Sequence, residues 1–105
     1  GAMSKNDDYQ FENRPKTIDN VPRDSKFGTV VDEVGVYEQG SGNDYWKVIQ
    51  RIETDGSDGP TTLIRVGYYA GNDGDWSWST KPMMLEPAVL NELYARAVSN
   101  GIVVK

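Results

Sequence analysis

Residues 45–54 read YWKVIQRIET, a run in which aromatic and branched residues recur at every second position. A period of two is that of a β-strand, because successive side chains leave opposite faces of the pleat. Trp46, Val48, Gln50 and Ile52 therefore share one side, and Tyr45, Lys47, Ile49, Arg51 and Glu53 share the other. The Trp46 side is the more apolar and is expected to face the core. Three comparable runs surround this one: GTVVDEVGVY at 28–37, TTLIRVGYYA at 61–70 and WSWSTKPMML at 76–85. The connections EQGSGND, DGSDGP and GNDGD supply the glycines that tight hairpin turns require. The pattern predicts a four-stranded antiparallel meander.

Beyond residue 85 the period changes. In EPAVLNELYARAVSNG, residues 86–101, Pro87 suits the first helical position, and apolar residues fall at 89, 90, 93, 94 and 97. Asn100-Gly101 marks the stop. The fold class expected is α+β, a β-β-β-β-α domain over residues 28–105. Ile102, Val103 and Val104 either add a short strand or pack against the helix. Residues 1–27 show neither period. They are expected to form a flexible arm that begins with a remnant of tag cleavage, Gly1-Ala2-Met3, and whose Tyr9, Phe11 and spaced cations offer contacts to a protein partner.

Composition removes much of the possible chemistry. A chain of 105 residues is the size of one ordinary domain, and it holds no cysteine and no histidine. Disulfides, thiolate nucleophiles, imidazole bases and the usual zinc ligands are excluded together. DGSDG and NDGD lack the spacing of a calcium loop, and no phosphate-binding glycine motif is present. A non-enzymatic protein without cofactor or metal is expected. No apolar run nears the roughly 20 residues that span a bilayer, so a cytoplasmic protein is expected, nucleoid-associated in a prokaryote or nuclear in a eukaryote. The net charge is −5, while residues 1–27 balance five cations against five carboxylates. Any nucleic-acid role must then rest on a local basic patch.

One helix covers only one face of a four-stranded sheet, so the other face is wet, paired or used for binding. Aromatic side chains and a few cations on such a face are the means by which single strands are held, with bases stacked on rings and cations along the phosphates. Strand alternation nominates Lys47, Arg51, Arg65 and Tyr69 on one exposed surface, Tyr45 at its rim, and Trp76, Trp78 and Lys81 on the last strand. At least one of the two last tryptophans is expected to be solvent-accessible near the sheet edge. With LIRVGYY on the third strand and KPMMLEPAVLNEL leading into the helix, residues 28–100 resemble the transcriptional coactivator PC4 family of single-stranded-DNA-binding proteins. Arg65, Tyr68, Tyr69, Lys81, Met83, Leu85 and Pro87 carry the likeness. The resemblance implies a homodimer joined through the C-terminal helices that binds single-stranded DNA or RNA and acts in transcription or DNA metabolism. Two aspartates in GNDGDWSWST stand where that family carries cations, so binding would lean on stacking more than on charge. The alternative is an acidic protein-interaction module, of inhibitor, immunity or regulatory type, with no nucleic-acid role.

Overall fold

The computed structural model describes residues 9–11, 14–72 and 74–104. Its elements are β1 (Tyr9–Phe11), β2 (Arg23–Ser25), β3 (Gly28–Glu38), β4 (Asp44–Gly56), β5 (Gly59–Asn72), β6 (Asp75–Trp78) and α1 (Pro87–Ser99). All strand pairs are antiparallel, in the order β1-β3-β4-β5-β6, with β2 pairing β3 beside β1. The expected α+β class and the C-terminal helix hold, but the sheet has six strands where four were expected. The meander is β3 to β6. The two added strands come from the N-terminal segment expected to be a flexible arm, which over its described residues lies on the sheet and buries Ile18. Their three-residue length is too short to leave a period in the sequence.

The two faces of β4 are both buried. On one side Val34 and Val36 of β3 and Ile49 of β4 meet Val89, Leu93 and Ala97 of α1, with Ile102 closing the cluster. On the other, Trp46 and Val48 pack with Ile18 and with the rings of Tyr37, Tyr69, Trp76 and Trp78. The helix thus covers the Ile49 side, opposite to the face expected to be the core. A β-bulge between Val30 and Asp32 explains the choice. Val30 pairs with Ile52 on the Trp46 side, and the extra residue then turns Val34 and Val36 to the other side, where they form an apolar floor for α1.

The helix ends as its sequence requires. Gly101 adopts φ +74°, its N–H bonds the Val98 carbonyl at 3.0 Å, and the Ile102 N–H bonds the Ala97 carbonyl at 2.9 Å. This pair of bonds is the Schellman arrangement, and it folds Ile102 under the helix into the core. Of the two outcomes open for residues 102–104, packing against the helix is the one realised. Leu90 and Tyr94 stay outside, each 46% exposed. No helix among the described residues is long and apolar enough to cross a membrane.

The last strand stops early. It was expected to reach residue 85 but ends at Trp78. The Ser79 hydroxyl accepts the Lys81 N–H at 3.1 Å in a local turn, which diverts the N–H that the ladder would use next.

Close approach of rings to backbone governs the Trp46 side. A Cβ built on Gly35 would lie 2.4 Å from Trp46 Nε1, and Trp46 is only 2% exposed, so the ring has nowhere to move. Gly35→Ala is expected to destabilise the fold by about 1–3 kcal/mol in urea unfolding. Gly42→Ala, where nothing lies within 4 Å, serves as the control and should change stability by no more than about 0.5 kcal/mol.

Candidate functional site

The register of β4 on β5 decides which side chains meet. Gln50 pairs with Arg65, Lys47 with Tyr68 and Trp46 with Tyr69. Paired residues share a face, so Arg65 and Tyr69 join the Trp46 side while Lys47 and Arg51 lie on the helix side. The single surface expected for Lys47, Arg51, Arg65 and Tyr69 is therefore split in two. Alternation within each strand holds, but the parity between strands is one residue away from that expected, and a one-residue shift moves every side chain across the sheet.

On the helix side the nominated residues have structural partners. Lys47 Nζ bonds Glu38 Oε2, and it donates to the Met84 carbonyl at 2.8 Å. Arg51 donates to the Gly101 carbonyl at 3.2 Å. Tyr45 meets Tyr68 edge-on at 5.8 Å and lies beneath Lys47. These contacts fasten the segment after β6 and the end of α1 to the sheet. Lys81 is exposed in the connection between β6 and α1, outside either group.

The opposite side carries a layer of rings. Trp46 stacks on Tyr69 at 5.6 Å, Tyr69 meets Trp78 edge-on at 5.0 Å, and Tyr37 meets Trp76 edge-on at 5.7 Å. Glycines make room for them: Gly67 lies under Trp78 and Gly71 under Trp76. Trp76 and Trp78 sit on the edge strand and are both partly exposed, as expected for at least one of them.

A polar cluster is embedded in this layer. Arg23 makes a two-pronged bond to Glu33, NH1 to Oε2 at 2.9 Å and NH2 to Oε1 at 2.8 Å. Gln50, fully buried, donates to Glu33 Oε1 at 3.0 Å and accepts from Arg65 Nε at 2.8 Å. Arg23, Gln50 and Arg65 all donate to the Tyr69 hydroxyl oxygen, at 3.1, 3.2 and 3.3 Å. The Arg65 guanidinium also lies 3.8 Å over the Trp78 ring. Burial pulls the Arg65 pKa below its ordinary value, and the nearby Arg23 charge pulls in the same direction. Burial alone would lower Arg23 as well, but its bonds to Glu33 and Tyr69 outweigh it and the net shift is upward. Two guanidiniums against one carboxylate leave the cluster positive.

Beside the rings an open cleft of about 310 Å³ is lined by Arg14, Lys16, Thr17, Tyr37 and Trp76. Arg14 is held there by its Nε bond to the Ile18 carbonyl at 2.8 Å. Residues 14–27 bring four cations, Arg14, Lys16, Arg23 and Lys26, and two carboxylates, Asp19 and Asp24. This side of the molecule thus gains positive charge within an acidic chain. Deeper in, Trp46 Nε1 is buried without an acceptor among the described residues, at the wall of a second cleft shared with Arg14 and Asn20. Among the described residues no group of three His, Cys, Asp or Glu side chains is placed to hold a metal ion.

Arg14, Lys16, Arg23, Glu33, Tyr37 and Gln50 were not among the nominated residues. Gln50 had a visible signal, a polar residue in an apolar stripe. The cations of the N-terminal segment were read as contacts for a protein partner and not as part of a sheet face.

Removing the Tyr69 hydroxyl should leave three donors short of an acceptor, and Tyr69→Phe is expected to lower stability by about 1–3 kcal/mol in urea. Tyr37 gives a pH test. Burial first, and then its 2.5 Å bond to Asp44, push its pKa from the ordinary 10 up to about 12. A folded-state pKa raised in this way adds stability that is complete below pH 10 and is lost as pH rises towards 12. The stability advantage of the native chain over Tyr37→Phe should therefore shrink across that window, as followed by denaturation at each pH. No protein-family model, curated protein or solved structure matches the chain.

Proposed function

We propose that the protein is a non-catalytic single-stranded nucleic-acid-binding protein that uses the sheet face opposite α1. The observation that supports this most is the cleft in which partly exposed Trp76 meets Tyr37 beside Arg14 and Lys16. Base stacking on a ring contributes about 1–3 kcal/mol per base and tolerates any sequence, and cations beside the ring follow the phosphates. Trp76 and Trp78 are the stacking surfaces in this reading. Trp46 and Tyr69 lie beneath them and fix their tilt. Arg14 and Lys16 are the phosphate contacts, in place of Lys47 and Arg51, which are engaged on the other side of the sheet.

The acidic balance of the chain limits the strength of such binding. Two phosphate contacts correspond to a slope of about −1.4 in log affinity against log salt for a single strand. Tryptophan fluorescence should be quenched by oligo-dT at low salt, with that slope. Trp76→Ala and Lys16→Glu are each expected to weaken binding by roughly tenfold, about 1.4 kcal/mol. Lys47→Ala and Arg51→Ala should leave it unchanged. No quenching at low salt with micromolar protein would reject this function. Equal losses from Lys47→Ala would reject the assignment of the face.

The second reading, a protein-interaction module, is favoured by a separate observation: Phe27, Leu63, Ile64 and Val66 are all more than 40% exposed near one stretch of β5. It predicts association that oligo-dT does not compete away.

A further inference from the structure

The exposed stretch of β5 is also an open sheet edge. Strand β5 spans fourteen residues, but β6 covers only Tyr69 to Asn72. From Pro60 to Gly67 no strand lies beyond β5 among the described residues. The direction of its free backbone groups follows from one bond. Ser79 N–H donates to the Tyr68 carbonyl at 2.9 Å, so Tyr68 turns its peptide groups away from β4. Residues two apart in a strand turn the same way. Thr62, Ile64 and Val66 therefore present both N–H and C=O outward, and Pro60, which shares that direction, has no N–H to present.

Such an edge normally carries a charge or a proline in its middle to prevent pairing. This one does not. Between Pro60 and Tyr68 the only charged residue is Arg65, and its guanidinium is turned inward onto Trp78 and Gln50. Strands β3 and β4, by contrast, each carry several charged residues along their length. The apolar side chains flank the edge on both faces: Ile64 and Val66 are 43% and 55% exposed on the helix side, where α1 packs over β3 and β4, and Leu63 is 51% exposed on the other.

We propose that this edge is a homodimer interface in which β5 pairs antiparallel with β5 of a second copy, about a two-fold axis at Ile64. The occupant is a second copy because the edge is self-complementary about that residue. Ile64 is the midpoint between Gly59, where the hairpin turns, and Tyr69, where β6 begins to pair. The two-fold sets Ile64 against Ile64 and Thr62 against Val66, so that every free N–H and C=O of these residues finds a partner in six inter-copy hydrogen bonds. It also sets Pro60, without an N–H, against Tyr68, whose carbonyl is already taken by Ser79. Arg65 falls opposite Leu63, so no like charges face each other. An axis at Arg65 would oppose the two Arg65 side chains and set Thr62 against Tyr68, whose carbonyl is already taken by Ser79. The sheet then continues across the axis, with both helices on one side and both ring-bearing faces on the other.

The chain has no cysteine, which makes single-cysteine variants diagnostic. Directly opposed residues in a hydrogen-bonded pair lie about 5.5 Å apart at Cα, within disulfide reach, whereas Val66 of the two copies would be about 14 Å apart. Under mild oxidation Ile64→Cys should form a covalent dimer and Val66→Cys should not, while the double variant Thr62→Cys with Val66→Cys should. Ile64→Lys, which sets two ammonium groups face to face, should raise the dimer dissociation constant at least about tenfold in sedimentation. Leu90→Glu and Tyr94→Glu on α1 should not. A chain that stays monomeric at high concentration would overturn the proposal. So would cross-linking of Val66→Cys as fast as Ile64→Cys, or a dimer lost through the helix variants and kept with Ile64→Lys, which is the arrangement that joins copies through α1.

Discussion

Gln50 lies fully buried in the middle of β4, with one polar end against Glu33 and the other against Arg65. A buried amide is tolerable only when its groups are paired, and here the network that pairs them draws on three different segments. Glu33 arrives on β3 after the bulge, Arg65 on β5, and Arg23 on β2 reaches Glu33 from above. Satisfying this one side chain thus demands the bulge and the β4–β5 register, and Arg23 on the docked N-terminal segment completes the network through Glu33. A register slip of one residue would leave Gln50 among apolar groups and turn Arg65 to the helix side. Removing two guanidiniums and a carboxylate from water offsets much of what their attraction gains.

That arrangement explains which parts of the fold were legible in the sequence. The period of two in residues 45–54 and the glycine-bounded turns defined β3, β4 and β5 to within two residues, and Pro87 with Asn100-Gly101 defined α1. These are local properties. Which face the helix covers, and which cations share a surface, depend on pairing between strands, and nothing in one strand's alternation states the parity of its neighbour. The bulge at Val30 to Asp32 adds a residue that no local pattern announces. The two N-terminal strands are invisible for a related reason: three residues held by pairing to β3 and by the Arg23–Glu33 bond have no period of their own.

The candidate site was legible in its rings and in Arg65, which lies over Trp78, and not in the cations of its cleft. Trp76 and Trp78 announce a face by alternating with Ser77 and Ser79, and the glycines beneath them, Gly71 and Gly67, belong to the neighbouring strand and complete the pattern. Lys47 and Arg51 belong to a strand whose other face holds those rings. Their ammonium and guanidinium groups cap carbonyls at Met84 and Gly101, so the helix end and the connection before it are held by charge as well as by packing. The cations that do stand near the rings, Arg14 and Lys16, lie in a segment without regular structure, where composition carries no information about position.

One short strand accounts for both surfaces left open. Strand β6 has four residues because the Ser79 hydroxyl turns the chain and takes the Lys81 N–H that the ladder would use next. Had it continued antiparallel to β5 as far as residue 85, it would have paired with the Thr62 to Tyr68 stretch and covered Ile64 and Val66. It would also have carried Trp78 into the interior of the edge strand, flanked by a longer ladder. By stopping where it does, β6 keeps Trp76 and Trp78 on the rim of the sheet and leaves the β5 backbone unpaired beyond them. The ring-bearing face and the free edge therefore share a boundary at Tyr68 and Ser79. A change in this turn that lengthened β6 would close the edge.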